Sequence, residues 1–402
     1  MNNRIILFAA VIAVSSFAAV PSFACTTVIV SAKASGTGRP LLWKNQDAES
    51  AFCHIEHFKG AKYGFTGLVD SGDDQHNVWA GGNDAGFCIV NNLSYNLRPS
   101  DYEGKPMHAG AIMREALGCC ATVDEFAEFL ETAKSQGVSS NFGVIDAHGG
   151  AAYFEVWDKG CTRFDVSGSS DGYLFRTNFS ISGSPDGGKG YARYETVSTL
   201  LKTHPSNGIS AEWLLDKVGR SFYNSVSGKD LLKGTHGLVE GDERIPRYTN
   251  ISSIVFEGVG ECDAPSSTVM WTVLGYAPCS YSVPVWVAAA SRIPRFLTDD
   301  DPGPFGYPVS AADSLSVSMK RYVYCKDILS RDAVGKYVNV DFLRKMLPIV
   351  RSAEHIEFVE ARCLDYSFRS RGFDPEAVSE YNSRAEERFE RYRMKIRKMA
   401  IR

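Results

Sequence analysis

Ser22-Phe23-Ala24-Cys25-Thr26-Thr27-Val28-Ile29-Val30, followed by Pro40-Leu41-Leu42-Trp43-Lys44-Asn45-Gln46-Asp47, is the stretch on which the rest of the chain turns. Thr26–Ser31 and Pro40–Lys44 are β-branched and apolar, and Ser35–Gly38 between them has turn chemistry, so the two predict an antiparallel hairpin. Asn45-Gln46-Asp47 then follows the second strand, and the hairpin carries Asp47 back beside the start of the first. Upstream, Arg4 gives a positive n-region, Ile5 to Val20 is apolar apart from Ser15 and Ser16, and Ser22-Phe23-Ala24 is a small-x-small cleavage site. Residues 1–24 therefore read as a secretory signal, too short for a retained membrane span, and cleavage makes Cys25 the first residue of an exported chain, periplasmic or extracellular.

A terminal cysteine carries a thiol and an α-amine on one residue. An α-amine has an intrinsic pKa near ~8, so at neutral pH it can take the thiol proton directly or through water. Such a nucleophile needs no distant histidine, and the eight histidines form no obvious dyad with Cys25. A carboxylate at Asp47 can hold the amine and set its protonation. Two structural alternatives stand beside this one. Cys25 as a lipidated anchor would make the chain a binding module without chemistry. Against that, Ser22 occupies the place where a lipobox has an aliphatic residue, and a β-branched strand follows at once instead of a polar linker. Cys25 as an ordinary buried thiol is the other.

Bulk properties narrow the class. Removing Arg4 with the leader leaves 42 basic against 47 acidic residues, a net charge of −5, which gives no general attraction for nucleic acid. A mature chain of 378 residues with 12% aromatics can bury a large core, in one domain or two. The ten cysteines are spread thinly, and no CxxC or His/Cys spacing suggests zinc. Cys53, Cys88 and Cys161 read as buried thiols, and Cys119-Cys120 as packing at a helix end. Cys262 and Cys279 flank an apparent hairpin, and a disulfide between them stays open.

Further strands are predicted at Gly86–Asn92, Phe142–Ala147, Ala151–Trp157, Cys161–Val166, Gly172–Asn178, Ile251–Glu257, Thr268–Leu274 and Val285–Ala290, with a Gly149-Gly150 hairpin turn. Helices are predicted at Met107–Leu117, after the capping box Thr122-Val123-Asp124-Glu125, at Tyr191–Thr203 and at Ala211–Phe222. Blocks of hairpins with helices between them suggest an α+β protein of two antiparallel sheets covered by helices. Residues 300–310, rich in proline and glycine, look like a linker. That divides the chain into a signal (1–24), a domain (25–300) and a mainly helical C-terminal extension (301–402) packed on the domain. The extension ends in a helix from Glu376 with eight basic and three acidic residues from Tyr381 onward, read as a solvated outer helix.

Strand ends carry amides, at Asn91-Asn92 and at Asn178, whose NH2 groups can stabilise an oxyanion. With Cys25-Thr26-Thr27, Trp43-Lys44-Asn45-Gln46-Asp47, Gly81-Gly82-Asn83-Asp84-Ala85-Gly86-Phe87 and Thr177-Asn178, the chain resembles the cysteine branch of the N-terminal-nucleophile hydrolases. That branch includes choloylglycine hydrolase, penicillin V acylase and the penicillin acyltransferase-like family. The last is also matched by Cys120-Ala121-Thr122-Val123-Asp124-Glu125 and Asn141-Phe142-Gly143-Val144-Ile145-Asp146-Ala147. The likeness covers residues 25–290 and implies a four-layer α-β-β-α sandwich.

The resemblance implies Cys25 as nucleophile, Asp47 positioning its amine, and Asn178 with Asn92 or Asn91 at the oxyanion. A family arginine beside the thiol is replaced by Lys44, a point charge instead of a planar fork, and a second falls at Arg247. Because the amide order at Asn91-Asn92 differs by one position from the bile-salt enzymes, bile salts are not implied. The expected activity is hydrolysis of a linear, non-peptide amide through an acyl-thioester, acting on a small-molecule acylated amine. No cofactor, metal, nucleic acid or stable membrane anchor is expected, and a homo-oligomer stays open. An acyltransferase and an N-terminal-cysteine dipeptidase are the neighbouring alternatives.

Overall fold

A computed structural model describes residues 24–48, 52–97, 108–133, 137–241, 243–260, 262–325 and 335–401. Apart from Ala24, the signal segment lies outside them. None of the described helices is long and apolar enough to cross a membrane.

Strands β1 (Thr26–Val30) and β2 (Leu41–Asp47) pair antiparallel, Val28 opposite Trp43 and Thr26 opposite Asn45. Every residue of both is buried, as in a strand covered on both faces, where the sequence runs apolar instead of alternating. The second strand does not stop at Lys44 as predicted; it continues through Asp47, because Asn250–Glu257 pairs along its whole length. These two are the centre of a six-stranded sheet. With β10 (Tyr173–Arg176), β11 (Asn250–Glu257), β12 (Val269–Leu274) and β13 (Val283–Trp286), its order is β10-β1-β2-β11-β12-β13.

The second sheet has seven strands in chain order: β3 (Cys53–Lys59), β4 (Gly64–Asp70), β5 (Val78–Asn83), β6 (Cys88–Leu93), β7 (Ser139–Ile145), β8 (Ala151–Trp157) and β9 (Gly160–Asp165). The first three were not predicted. Glycines weaken the strand signal of β4 and β5, where Gly67 lies opposite Gly81 and a Cβ on Gly81 would stand 2.4 Å from Leu117 Cδ1 of the overlying helix. The sheets pack face to face. Thr27 of β1 takes a hydrogen bond from the Tyr153 hydroxyl of β8 at 2.9 Å, and a Cβ on Gly143 would meet Ile29 and Leu42.

Helices α1 (Ala109–Cys119) and α2 (Val123–Thr132) cover the outer face of the seven-stranded sheet around Phe87, Phe126, Phe142 and Phe154. The Thr122 hydroxyl accepts from Glu125 N, but the Glu125 carboxylate accepts from Ala121 N, one residue before the cap. The other sheet is covered by α3 (Tyr191–Leu201), by a segment at 211–219 and by the C-terminal helices. That segment, predicted as one helix to Phe222, is a single α-turn followed by a π-helical stretch, with Gly219 against the Trp43 ring. The result is a four-layer α-β-β-α sandwich of α+β class.

Residues 301–309 form a small ribbon, and beyond it stand α4 (Ala311–Val323), α5 (Val340–Arg371) and α6 (Pro375–Ile401). The last helix is not merely a solvated one. Val378, Tyr381, Ala385, Phe389, Tyr392 and Ile396 form a stripe at helical spacing buried in the same core as the six-stranded sheet. Trp271 of β12 stacks on Phe358 of α5 at 3.9 Å. One cysteine expectation is corrected: Cys161 is exposed. The pairing of Cys262 with Cys279, left open by the sequence, is not formed, and both are free thiols.

Arg220 ties α5 to the sheet: its guanidinium meets Glu354 through two contacts of 2.7 and 2.8 Å, and Glu354 also accepts Ser282 N at 2.8 Å. Both side chains are buried. Glu354→Ala would strand a buried cation, which costs about 3–5 kcal/mol. Urea unfolding of the variant should show a loss of that order; a change below about 1 kcal/mol would mean that the pair is incidental to docking of the helix.

Candidate functional site

Extending the β1–β2 register by one step sets Cys25 opposite Gln46, and by two sets Asp47 opposite the residue that precedes Cys25. The site is built from this end of the hairpin. Cys25 is 7% exposed, and its Sγ lies 3.8 Å from the Asp47 carbonyl oxygen. Burial raises the thiol above its ordinary value, with Lys44 pulling hardest in the other direction. A cleft of about 430 Å³ opens on it, lined by Cys25, Lys44, Asp47, Asp70, Trp79 and Asn91, with Leu93, Ala109 and Val138 among its apolar walls.

Asp47 is the anomaly of the site. It is 1% exposed, and neither carboxylate oxygen has a hydrogen-bond partner. Its nearest ionic neighbour is Arg247, with Nε 3.8 Å from Oδ2. Burial pushes the carboxyl up to about 7, opposed first by Arg247 and then by Arg193. A buried acid without partners costs free energy in the chain described, where Ala24 still precedes Cys25.

The three amides are held differently. Asn178 donates Nδ2 to Leu93 O at 2.9 Å and accepts on Oδ1 from Arg193 Nη2 at 2.7 Å. Asn92 donates to Thr177 O and accepts from the Thr27 hydroxyl. Asn91 donates to Ser140 Oγ and accepts from Lys44 Nζ at 2.8 Å. Of the three, only Asn91 lines the cleft. Asn83, in the Gly-x-Asn segment, is a turn residue: its amide caps α1 through Leu117 O and Cys120 O and accepts from Ala85 N and Phe87 N.

Two residues at the site escaped the sequence. Arg193 of α3 is 1% exposed; Nη1 donates to Cys25 O and Thr26 Oγ1, both at 2.8 Å, while Nη2 holds Asn178. The signal was there to find, since a cation shares the buried stripe of α3 with Thr196, Val197 and Leu201. Asp70, at the end of β4, lines the cleft with its Oδ1 buried and unpartnered. It belongs to a strand the sequence did not reveal. A larger recess of about 750 Å³ lies against α5, lined by ion-paired side chains such as Arg39, Asp216, Arg351 and Asp365. None of the candidate catalytic residues lines it.

Residues 36–234 match the model of the acyl-coenzyme A:6-aminopenicillanic acid acyl-transferase family. None of the curated proteins matches at a significant level. Among solved structures, a mutant conjugated bile acid hydrolase of Clostridium perfringens is 13% identical with a TM-score of 0.39, covering 62% of this chain and 89% of its own. An N-acylethanolamine-hydrolyzing acid amidase ortholog of Caenorhabditis elegans is 14% identical with a TM-score of 0.38, covering 58% and 92%. Penicillin V acylase of Agrobacterium tumefaciens is 12% identical with a TM-score of 0.37, covering 65% and 85%.

The orphaned carboxyl gives a pH dependence with a definite sign. In chain whose 24–25 bond is intact, Asp47 keeps its proton up to about pH 7, whereas in the unfolded chain it loses it near ~4. A raised folded value means that stability is full below the unfolded value and is lost as pH rises through 7. Asp47→Asn should therefore melt a few degrees above the parent at pH 8, the two converging toward pH 4. An equal gap at both pH values would assign the effect to packing instead.

Proposed function

The chain belongs to the N-terminal-nucleophile hydrolases, through the acyl-transferase family that residues 36–234 match, and on that premise we propose that Cys25 of the processed, exported enzyme attacks linear amides. The observation that carries the proposal is the Asp47 carboxyl, buried beside the head of β1 with no hydrogen bond to either oxygen and Arg247 Nε 3.8 Å from Oδ2. Cleavage before Cys25 creates an ammonium at that place. The new cation favours the ionised form of Asp47, which burial disfavours while the 24–25 bond is intact.

The chemistry then follows from the positions. The α-amine, in its neutral form, takes the Cys25 proton, and Sγ attacks the substrate carbonyl carbon. The resulting oxyanion draws on the second N–H of Asn178, with Asn91 as the amide nearest the cleft, and Arg193 fixes both the Asn178 amide and the Cys25 carbonyl. The ammonium returns its proton to the leaving amine as the C–N bond breaks. Water, losing a proton to the same amine, then cleaves the thioester and restores the thiol. Lys44, 2% exposed, sets a positive charge beside the thiol, and Arg247 flanks Asp47.

The substrate class proposed is a small acylated amine entering the cleft. If another amine replaces water at the thioester, the same machinery is an acyltransferase. A dipeptidase is distinguished by cleavage of free dipeptides with acylated amines left intact, and a lipid-anchored binding module by a diacylglyceryl mass on Cys25. Periplasmic or extracellular location is proposed with the signal segment.

Two outcomes test this. Intact mass and terminal sequencing of exported protein should find Cys25 first with a free amine; a lipid or another start removes the mechanism. On an amide found by screening acylated amino acids, bile conjugates, acyl-homoserine lactones and penicillin V, Cys25→Ser should turn over far more slowly. One extra residue before Cys25 should be nearly as damaging, because it converts the base into an amide. Asn178→Ala should lose about a hundredfold. Full activity of the extended chain would exclude the amine as base.

A further inference from the structure

Lys44 is a cation that the fold buries completely, and its visible partners are all neutral. Nζ donates to Trp79 O at 2.7 Å and to Asn91 Oδ1 at 2.8 Å, and lies 5.8 Å from the Trp79 ring centroid. An ammonium removed from water needs a counter-charge, or it gives up its proton. The ionisable groups facing it come from several elements. Cys25 immediately precedes β1, and Asp70 ends β4 in the wall of the same cleft. Asp47 lies further along β2 and is engaged with Arg247 and Arg193. His108, before α1, lines the same cleft. Asp73, Asp313 and Tyr307 act on or respond to Asp70 instead of Lys44.

While Cys25 is a thiol, the acid that acts on Lys44 is Asp70. Its Oδ1 is buried without a hydrogen-bond partner, and Asp70 shares the wall of the cleft with Lys44 and Cys25. Granted Cys25 as the nucleophile, on which this rests, we infer that Asp70 is a positioning residue whose carboxylate keeps Lys44 charged, so that Lys44 presents a standing positive charge to the Cys25 sulfur. A guanidinium at this position would hold its proton unaided; a lysine needs the acid. Burial takes Lys44 down to about 8, with Cys25 and then Asp70 pulling it up, and takes Asp70 up to about 6, with Lys44 pulling it down. Both are charged between those values, which is the window in which the pair operates.

The sign of one measurement separates this role from simpler ones. Asp70 repels a thiolate, so if it acted on Cys25 directly, Asp70→Asn would make the thiol more reactive. Acting through Lys44, its removal lets Lys44 discharge and makes the thiol less reactive. The probe is iodoacetamide, with modification of the Cys25 peptide of the processed protein followed by mass spectrometry across pH. Asp70→Asn should slow alkylation at pH 7 by about tenfold, the equivalent of a one-unit upward shift in the thiol. Asp70→Glu should retain most of the rate. In a Lys44→Arg background, Asp70→Asn should cause no slowing. Unchanged or faster alkylation in Asp70→Asn overturns the proposal, as does equal slowing in the Lys44→Arg background, which would mark a structural role. A folded wild type whose Cys25 stays unmodified at every pH, while exposed Cys161 reacts, would instead remove Cys25 as nucleophile.

Discussion

Everything at the site depends on the pairing of β1 with β2. An antiparallel register admits no drift when both faces are buried, because a slip of one residue would turn Lys44 and Thr27 from one layer to the other. The pairing of Thr27 with Lys44 therefore fixes which residues look between the sheets and which look toward α3. Toward the second sheet point Thr27, bonded to Tyr153 and Asn92, and Lys44, bonded to Asn91. Toward the helices point Thr26 and Trp43, the first held by Arg193, the second by Ser253. Cys25 stands at the end of this frame, where one strand begins and the cleft opens.

The consequence is a site with charges placed before anything has bound. Asp47, Lys44, Arg193 and Asp70 are all held in surroundings that disfavour their charged forms, and each is shifted in the direction burial dictates. Such a set is costly if left unbalanced and effective if complete, since low-dielectric surroundings strengthen every remaining interaction. On the proposed reading, the ammonium that processing would create joins Arg247 and Arg193 in favouring the ionised form of Asp47.

The sequence made the β1–β2 hairpin legible, along with the Gly149-Gly150 turn, the strands from Gly86 to Asn178 and the class of two covered sheets. These are stretches where β-branched residues and turn residues agree. It did not reveal β3, β4 and β5; in β5, Gly81 serves a contact with Leu117 of α1 that no local pattern encodes. With those strands Asp70 and the floor of the cleft were lost as well. Arg193 was missed for a different reason: the buried stripe of α3 marks it as a buried cation, but its partners Cys25, Thr26 and Asn178, up to 168 residues away, are brought to it by the fold. The C-terminal helix was misjudged because its charges dominate its composition, while its spacing, from Val378 to Ile396, carries the packing.

The lysine at position 44 shows how one substitution in a charged cluster redistributes work. Guanidinium and ammonium carry the same charge but differ in how firmly they hold a proton when buried. Lys44 keeps two neutral acceptors, Trp79 O and Asn91 Oδ1, which orient it without compensating its charge. Compensation must come from an anion, and the anion must not sit on the thiol, because it would then oppose the thiolate it is meant to favour. Asp70 meets both conditions. It pulls Lys44 upward, while the largest charge effects on Cys25 come from Lys44, Asp47 and Arg193. Interposing a cation between an acid and a thiol lets one buried carboxylate assist thiolate formation, which it would hinder if it stood in contact.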